Sequence, residues 1–317
     1  MSAAEQAVIR SVIRTEGLTK RFGRTEALCG VQMEVAPGSI YALVGANGAG
    51  KTTLIKLLMN LFRPTAGHAW VLGIAAEELR GSALSRIGYV SENQEMPDWM
   101  RVGQMLDYLR PFYPGWDREL ERQLVRQFDL QLDRKLKHLS RGMRMKAAMA
   151  AALAFRPELL VLDEPFSGLD PLVRDELIES LLDRSPETTV FLSSHDLSEI
   201  ESFSTQVGYL EQGRLLFSEE MSTLSQRFRE VTVTLSGPGQ AAREVPAQWL
   251  QYEATDSVVR FVHSDCRGER TAAELREMFP AARDIELEPM PLRSIFLAVA
   301  RAGRAHRMSG AEERSRA

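Results

Sequence analysis

The sequence predicts an α/β fold: a mostly parallel sheet core, a helical insertion and a small C-terminal α+β domain. Three observations predict it. Between residues 39 and 192, short apolar runs that read as buried strands alternate with segments of helical period, and that alternation implies a parallel sheet covered on both faces. From Trp99 to Lys137 the period is helical throughout. Past about residue 222 the texture changes to strand-like alternation, which recurs on both sides of one helical segment.

The elements follow in order. Residues 1–11 read as frayed, and Val12–Leu18 alternates as a first strand. Ser39–Val44 is a short apolar strand, and Thr53–Met59 a helix. Arg63–Gly67 is a turn, followed by strands at Ala69–Leu72 and Arg86–Val90. In the helical stretch Met105, Leu106, Leu109 and Phe112 share one face, and Leu120, Leu124 and Phe128 another. Pro111 and Pro114-Gly115 punctuate it. Ser140 caps a helix that runs to Phe155, where Arg156-Pro157 ends it. Leu159–Leu162 and Thr189–Leu192 are apolar strands flanking a helix over Leu172–Leu182. In the C-terminal part, Val231–Leu235, Ser257–His263 and Asp284–Glu288 read as strands and Ala272–Phe279 as a helix, with Ser236–Gly239 as a loop. The Arg-, Ser- and Ala-rich tail 303–317 reads as disordered. The expected domains are therefore 12–221, with its helical part at about 97–157, and 222–302. No internal repeat is visible.

Composition narrows the classes. The 317 residues suit one large or two modest domains, and 44% hydrophobic with 26% charged residues is ordinary for a globular protein. A net charge of −4 lacks the basic footprint of a nucleic-acid binder, so no nucleic-acid partner is expected. Cys29 and Cys266 match no metal spacing and fit free thiols in a reducing compartment. No apolar run reaches the roughly 20 residues of a membrane span, and Met1–Gln6 is not a signal peptide. The expectation is a cytoplasmic protein; any role at a membrane needs another chain to supply the span.

One octapeptide carries most of the functional information. Residues 45–52, Gly45, Ala46, Asn47, Gly48, Ala49, Gly50, Lys51 and Thr52, fit the phosphate-binding pattern G-x-x-x-x-G-K-[ST]. The glycines let successive backbone N–H groups close around an anion. Lys51 reaches β- and γ-phosphates as a point charge, and Thr52 offers a hydroxyl to Mg²⁺. Thr53 opens the following helix, whose positive end faces the phosphates. The strand before and the helix after mark this as a P-loop, the phosphate cradle of a superfamily of nucleotide-binding proteins.

Further along, the strand Leu159–Leu162 ends in Asp163-Glu164. Asp163 is placed to hold Mg²⁺ through its water shell, and Glu164 to polarise an attacking water as general base.

Leu139-Ser-Arg-Gly-Met143 stands at a helix start about twenty residues earlier. Here the chain resembles the ATP-binding cassette (ABC) family, whose signature usually reads Leu-Ser-Gly-Gly-Gln. The resemblance implies that Ser140 and the Gly142 backbone contact the γ-phosphate of ATP held by a second cassette. Arg141 and Met143 depart from the family's Gly and Gln. Ser167-Gly-Leu-Asp170 resembles the family's D-loop, which lies at the dimer interface and places Asp170 beside the nucleotide. His195 in Ser193-Ser-His-Asp196 matches the switch histidine, implied to hydrogen-bond the γ-phosphate and to fix the water and Glu164. Phe22 stands where the family stacks an aromatic on adenine; a core phenylalanine at a strand end is the other reading. Glu92, in Ile87-Gly-Tyr-Val-Ser-Glu92, replaces the usual Q-loop Gln as the implied metal contact, with Gln94 as the competing candidate.

The motif order covers roughly residues 12–220. It implies an ATP-hydrolysing transporter subunit that dimerises around two ATP molecules, as a homodimer or heterodimer, and drives a separate membrane permease. The resemblance is closer to bacterial exporter cassettes, on Leu139–Met143, Phe112–Asp117 and Ser294–Val299. It places the protein peripherally on the inner face of the cell membrane. Met96–Met100 is the expected permease contact, against the alternative that Trp99 is core. A non-transport ABC protein on ribosomes or DNA, and a regulatory cassette with weak hydrolysis, are the competing functions.

Overall fold

The computed structural model describes residues 11–92, 94–184, 187–237 and 245–302. The expected disordered tail and part of the Ser236–Gly239 loop lie outside the described residues. The chain divides into two compact units, Met1–Ser218 and Glu219–Ala317.

The first unit begins with β1 (Ile13–Phe22), β2 (Thr25–Val35), β3 (Ile40–Val44), α1 (Lys51–Leu58), β4 (Ala66–Val71), β5 (Ile74–Ala75) and β6 (Ile87–Ser91). It continues with α2 (Val102–Leu109), α3 (Arg118–Gln127), α4 (Arg141–Leu153), β7 (Leu159–Asp163), α5 (Pro171–Leu182), β8 (Thr189–Ser194), β9 (Gln206–Glu211) and most of β10 (Arg214–Glu220), whose last two residues are the first of the second unit. The central sheet has the order β10-β9-β3-β8-β7-β6. Its β9-β3-β8-β7-β6 pairs are parallel. Every residue of β3, β7 and β8 is buried, which is why these strands read as unbroken apolar runs. Their carboxyl ends bring residues 45, 163–164 and 194–195 to one edge, where open parallel sheets bind ligands.

A second, antiparallel sheet, β2-β1-β4-β5, stands beside the first. The sequence pattern located β1 but missed β2. In β2 Leu28, Val31, Met33 and Val35 are buried, but register shifts opposite Leu18 and Lys20 and a left-handed Gly30 (φ 66°) break the period of two. β1 runs to Phe22 rather than ending at Leu18. The β9–β10 hairpin, also unassigned from sequence, turns on Gln212-Gly213, both at positive φ (50° and 77°), as a type I′ turn demands.

The helical insertion holds α2 and α3. Leu120, Leu124 and Phe128 are buried on one face as the period predicts. The other expected face is corrected at its end. Met105 and Leu106 are buried, but the helix stops before Pro111 and Phe112 swings outward to 61% exposure, beside Tyr108. Ser140 caps α4, its Oγ accepting from the Met143 N–H at 3.2 Å.

The second unit holds α6 (Met221–Arg227), β11 (Arg229–Leu235), β12 (Trp249–Ala254), β13 (Val258–His263), α7 (Glu269–Met278), β14 (Ala282–Pro289) and a helix over 292–302. Its antiparallel sheet has the order β12-β13-β11-β14. Trp249, Phe261, Leu275 and Phe279 centre its core, with Trp249 and Phe261 stacked at 3.9 Å. β12 was not legible in the sequence: of its six residues only Trp249 is buried. No described helix is long and apolar enough to cross a membrane.

Candidate nucleotide-binding site

The phosphate-binding loop is fixed at both ends by close packing. The Gly45 N–H donates to the Ser194 carbonyl at the end of β8 (3.2 Å). A Cβ at Gly45 would lie 2.3 Å from the Leu210 carbonyl oxygen and 3.1 Å from Ala49 Cβ. Gly50 has φ 110°, and a Cβ there would lie 2.6 Å from the Ala27 carbonyl oxygen. Gly48 is needed for conformation alone, since φ is 81° with open space around it. Ala49 is buried, whereas Ala46 and Asn47 are exposed. α1 starts at Lys51, so the N–H groups of Lys51, Thr52 and Thr53 belong to its first turn and have no intrahelical acceptor. Such a loop and helix start form an anion site.

Behind the loop lies a connected set of side chains. Lys51, 5% exposed, donates from Nζ to the Gly45 and Ala46 carbonyls (2.6 and 3.2 Å) and pairs with Glu164 Oε1 at 3.0 Å. Glu164 Oε2 meets His195 Nδ1 at 2.7 Å. Thr52 Oγ1 donates to Asp163 Oδ1 (3.2 Å), which also accepts from Ser193 Oγ (2.7 Å). The same Ser193 oxygen accepts from the Glu164 N–H at 2.9 Å. Glu164 holds a left-handed backbone, φ 53°, a strained conformation of the kind found at functional sites.

Electrostatics follow from these contacts. The hydrogen bond to the Glu164 carboxylate raises the His195 pKa above the usual imidazole value, the charges of Glu164 and Glu199 add to the rise, and desolvation opposes it. Burial raises the Glu199 carboxyl above its usual range, against the hydrogen bond it accepts from Ser194. Glu164 Oε1 is buried with no hydrogen-bond partner among the described residues and faces the Lys51 ammonium alone.

The other predicted residues fall into two further groups. Ser140, Gly142 and Asp170 gather where α4 and α5 begin. Gly142 packs against Val173, where a Cβ would meet Cγ1 at 3.2 Å, and Asp170 caps α5 by accepting from the Val173 N–H at 3.0 Å. Phe22 stands apart at the end of β1, 45% exposed, edge-on to Phe62 at 5.4 Å with Lys20 Nζ 5.0 Å from its ring. The core reading of Phe22 is therefore wrong, and so is that of Trp99, which is 69% exposed.

Glu92 links the groups. Its N–H donates to the Asp163 carbonyl at 2.9 Å, extending the β6–β7 ladder. Its side chain turns elsewhere, with Oε1 accepting from Arg141 Nη2 (2.5 Å) and Ser167 Oγ (2.9 Å). Gln94 instead lines a pocket of the helical insertion with Tyr89, Met96 and Phe155, which favours Glu92 as the residue near the acids. Thr52, Asp163 and Glu92 offer hard oxygen donors, the kind Mg²⁺ accepts while keeping several waters. Sequence reasoning missed Ser193 and Ser167 as organising residues. Ser193 pairs with Asp163 only through the β7–β8 register, which a linear pattern does not carry.

Comparison with known proteins agrees with this geometry. The family profile described as ABC transporter matches residues 28–167. The bacitracin transport ATP-binding protein BcrA of Enterococcus faecalis is 34% identical over 257 residues, covering 80% of this chain and 83% of its own. The ABC transporter ATP-binding protein YcbN of Bacillus subtilis is 35% identical over 216 residues, covering 67% of this chain and 69% of its own. Among solved structures, the ATP-binding subunit of an ABC transporter superposes with a TM-score of 0.63 at 27% identity, covering 68% of this chain and 92% of that one. The chain belongs to the ABC transporter family, as one of its ATP-binding subunits.

Proposed function

We propose that the chain hydrolyses ATP with Mg²⁺ and that two copies, closing on two ATP molecules, power export through a separate integral-membrane permease. The observation that carries the hydrolytic part is the Lys51–Glu164–His195 cluster at the mouth of the phosphate loop. In this reading the N–H groups of residues 46–48 and 50–53 bind the β- and γ-phosphate oxygens, and Lys51 exchanges the Gly45 and Ala46 carbonyls for them. Glu164 accepts the proton of the attacking water at the Oε1 that Lys51 releases on turning to the phosphates, while His195 holds Oε2 and reaches the γ-phosphate. Thr52, Asp163 and Glu92 would hold a metal ion, which would neutralise developing phosphate charge. Phe22 offers its exposed face to adenine. Ser140 and Gly142 serve the ATP of the partner cassette, with Asp170 at the shared interface.

The membrane part rests on the family and on the exposed apolar surface of the helical insertion, where Trp99, Tyr108 and Phe112 stand out. The Enterococcus relative is named for bacitracin transport; export is the direction we assign to this chain. Binding a permease places it on the cytoplasmic face of the membrane. The test is Glu164→Gln. We expect ATP turnover to fall at least about a hundredfold with nucleotide affinity retained, and the ATP-loaded variant to capture a multi-spanning membrane protein from detergent-solubilised cells. Unchanged turnover removes Glu164 as the base; capture of ribosomes or nucleic acid in place of a membrane protein removes the transport reading.

A further inference from the structure

Two positions at which this chain departs from the usual family motifs touch each other. Glu92 replaces the Q-loop Gln and Arg141 replaces the first signature Gly, and Arg141 Nη2 donates to Glu92 Oε1 at 2.5 Å. The contact is not a chance crossing of two surface side chains. Ser167 Oγ donates to the same oxygen at 2.9 Å. The guanidinium also lies over Gly168, where a Cβ would meet Arg141 Nη1 at 2.9 Å and Cζ at 3.2 Å. Arg141 thus joins the segment after β6, the start of α4 and the loop between β7 and α5.

Charge explains why the two departures belong together. The Glu92 N–H sits on the Asp163 carbonyl, so Glu92 brings a further negative charge into the segment next to Asp163 and Glu164, in a site read as binding a polyphosphate. A Gln there needs no counter-charge. A Glu does, and a Gly at residue 141 supplies none. The side chains are 49% (Arg141) and 29% (Glu92) exposed, so water screens the pair without removing it. Its geometry also directs the carboxylate. The Glu92 oxygen is held on Arg141 and Ser167, whereas Thr52 and Asp163 bond to each other.

We propose that Arg141 is a positioning residue that competes with the metal ion for the Glu92 carboxylate, so that residues 92 and 141 act as one charge-matched unit setting the Mg²⁺ requirement for nucleotide binding. The proposal rests on the reading above that ATP binds here with Mg²⁺. Glu92 must leave Arg141 to serve the metal, and strength at one contact is lost at the other.

The experiment follows binding of the fluorescent analogue trinitrophenyl-ATP to the full chain during a Mg²⁺ titration at constant ionic strength. Arg141→Gln frees the carboxylate and lowers the Mg²⁺ midpoint about three- to fivefold, the range for a partly exposed charge pair. Glu92→Gln raises it, the double substitution stays at the Glu92→Gln value because no carboxylate is left for residue 141 to hold, and Arg141→Lys stays within about twofold of the parent because it keeps the charge. A merely structural role for Arg141 would alter thermal stability and leave the midpoint in place. An Arg141→Gln midpoint equal to or above that of the parent overturns the proposal; Arg141→Ala, read against the same threshold, replaces it should the Gln chain not fold. If the parent binds the probe no better than a Lys51→Ala chain, the nucleotide reading itself fails, which is a separate outcome.

Discussion

Two alanine substitutions three residues apart in the phosphate loop should have very different costs. At Gly48 the backbone is left-handed (φ 81°) and a Cβ meets nothing within 4 Å, so Gly48→Ala costs only the conformational penalty, about 1 kcal/mol. At Gly45 the new Cβ would stand 2.3 Å from the Leu210 carbonyl oxygen, about 1 Å inside ordinary contact. That oxygen cannot easily retreat. Leu210 is fully buried, and β9 is held in register against β3 through Tyr41–Val44. Gly45→Ala therefore falls at the upper end of overpacking costs, about 3 kcal/mol. For a unit of this size each kcal/mol moves the melting temperature by about 2–4 °C, so the expected losses are about 6–12 °C for Gly45→Ala and about 2–4 °C for Gly48→Ala. Thermal unfolding followed by far-UV circular dichroism measures both. A Gly48→Ala chain that melts as low as the Gly45→Ala chain would refute the steric argument and with it the packing assigned to the loop.

Phe22→Ala removes an exposed ring, and the loss of a stacking platform should weaken ATP binding about fivefold or more while Phe22→Tyr retains it, as read by calorimetry. His195 has its pKa raised in the fold by Glu164, so its stabilising contact is fully present below the ordinary imidazole pKa and is lost as pH rises through the folded value. The difference in urea midpoint between the parent and His195→Gln should accordingly be largest near pH 6 and shrink toward pH 9; a difference that grows with pH contradicts the assigned pair. Phe261→Ala in the second unit deletes a ring 2% exposed and stacked on Trp249, with an expected cost of about 3–5 kcal/mol, seen as faster hydrogen exchange of β11 and β13 amides.

Much of the architecture was legible because its signals are local. β3, β7 and β8 are covered on both faces, so each is a short apolar run whatever its neighbours are. β2 was not legible, because a left-handed glycine and shifted pairing break its alternation. β9 and β10 escaped notice because their type I′ turn uses Gln212-Gly213 rather than a stronger turn pair. Phe112 was misassigned because a helical period was carried across Pro111.

The functional site divides in the same way. The sequence alone determined the glycine-rich loop at residues 45–52, since the glycines that free its consecutive backbone N–H groups lie side by side in the chain. It also determined the paired acids at the end of β7 and the order of the motifs. Only the tertiary structure decided that Phe22 and Trp99 are exposed, that Ser193 holds both Asp163 and the Glu164 backbone, and that Arg141 meets Glu92 across 49 residues of chain. Charge pairing depends on distance in space, and distance in space is set by sheet order and helix packing, which no linear pattern encodes.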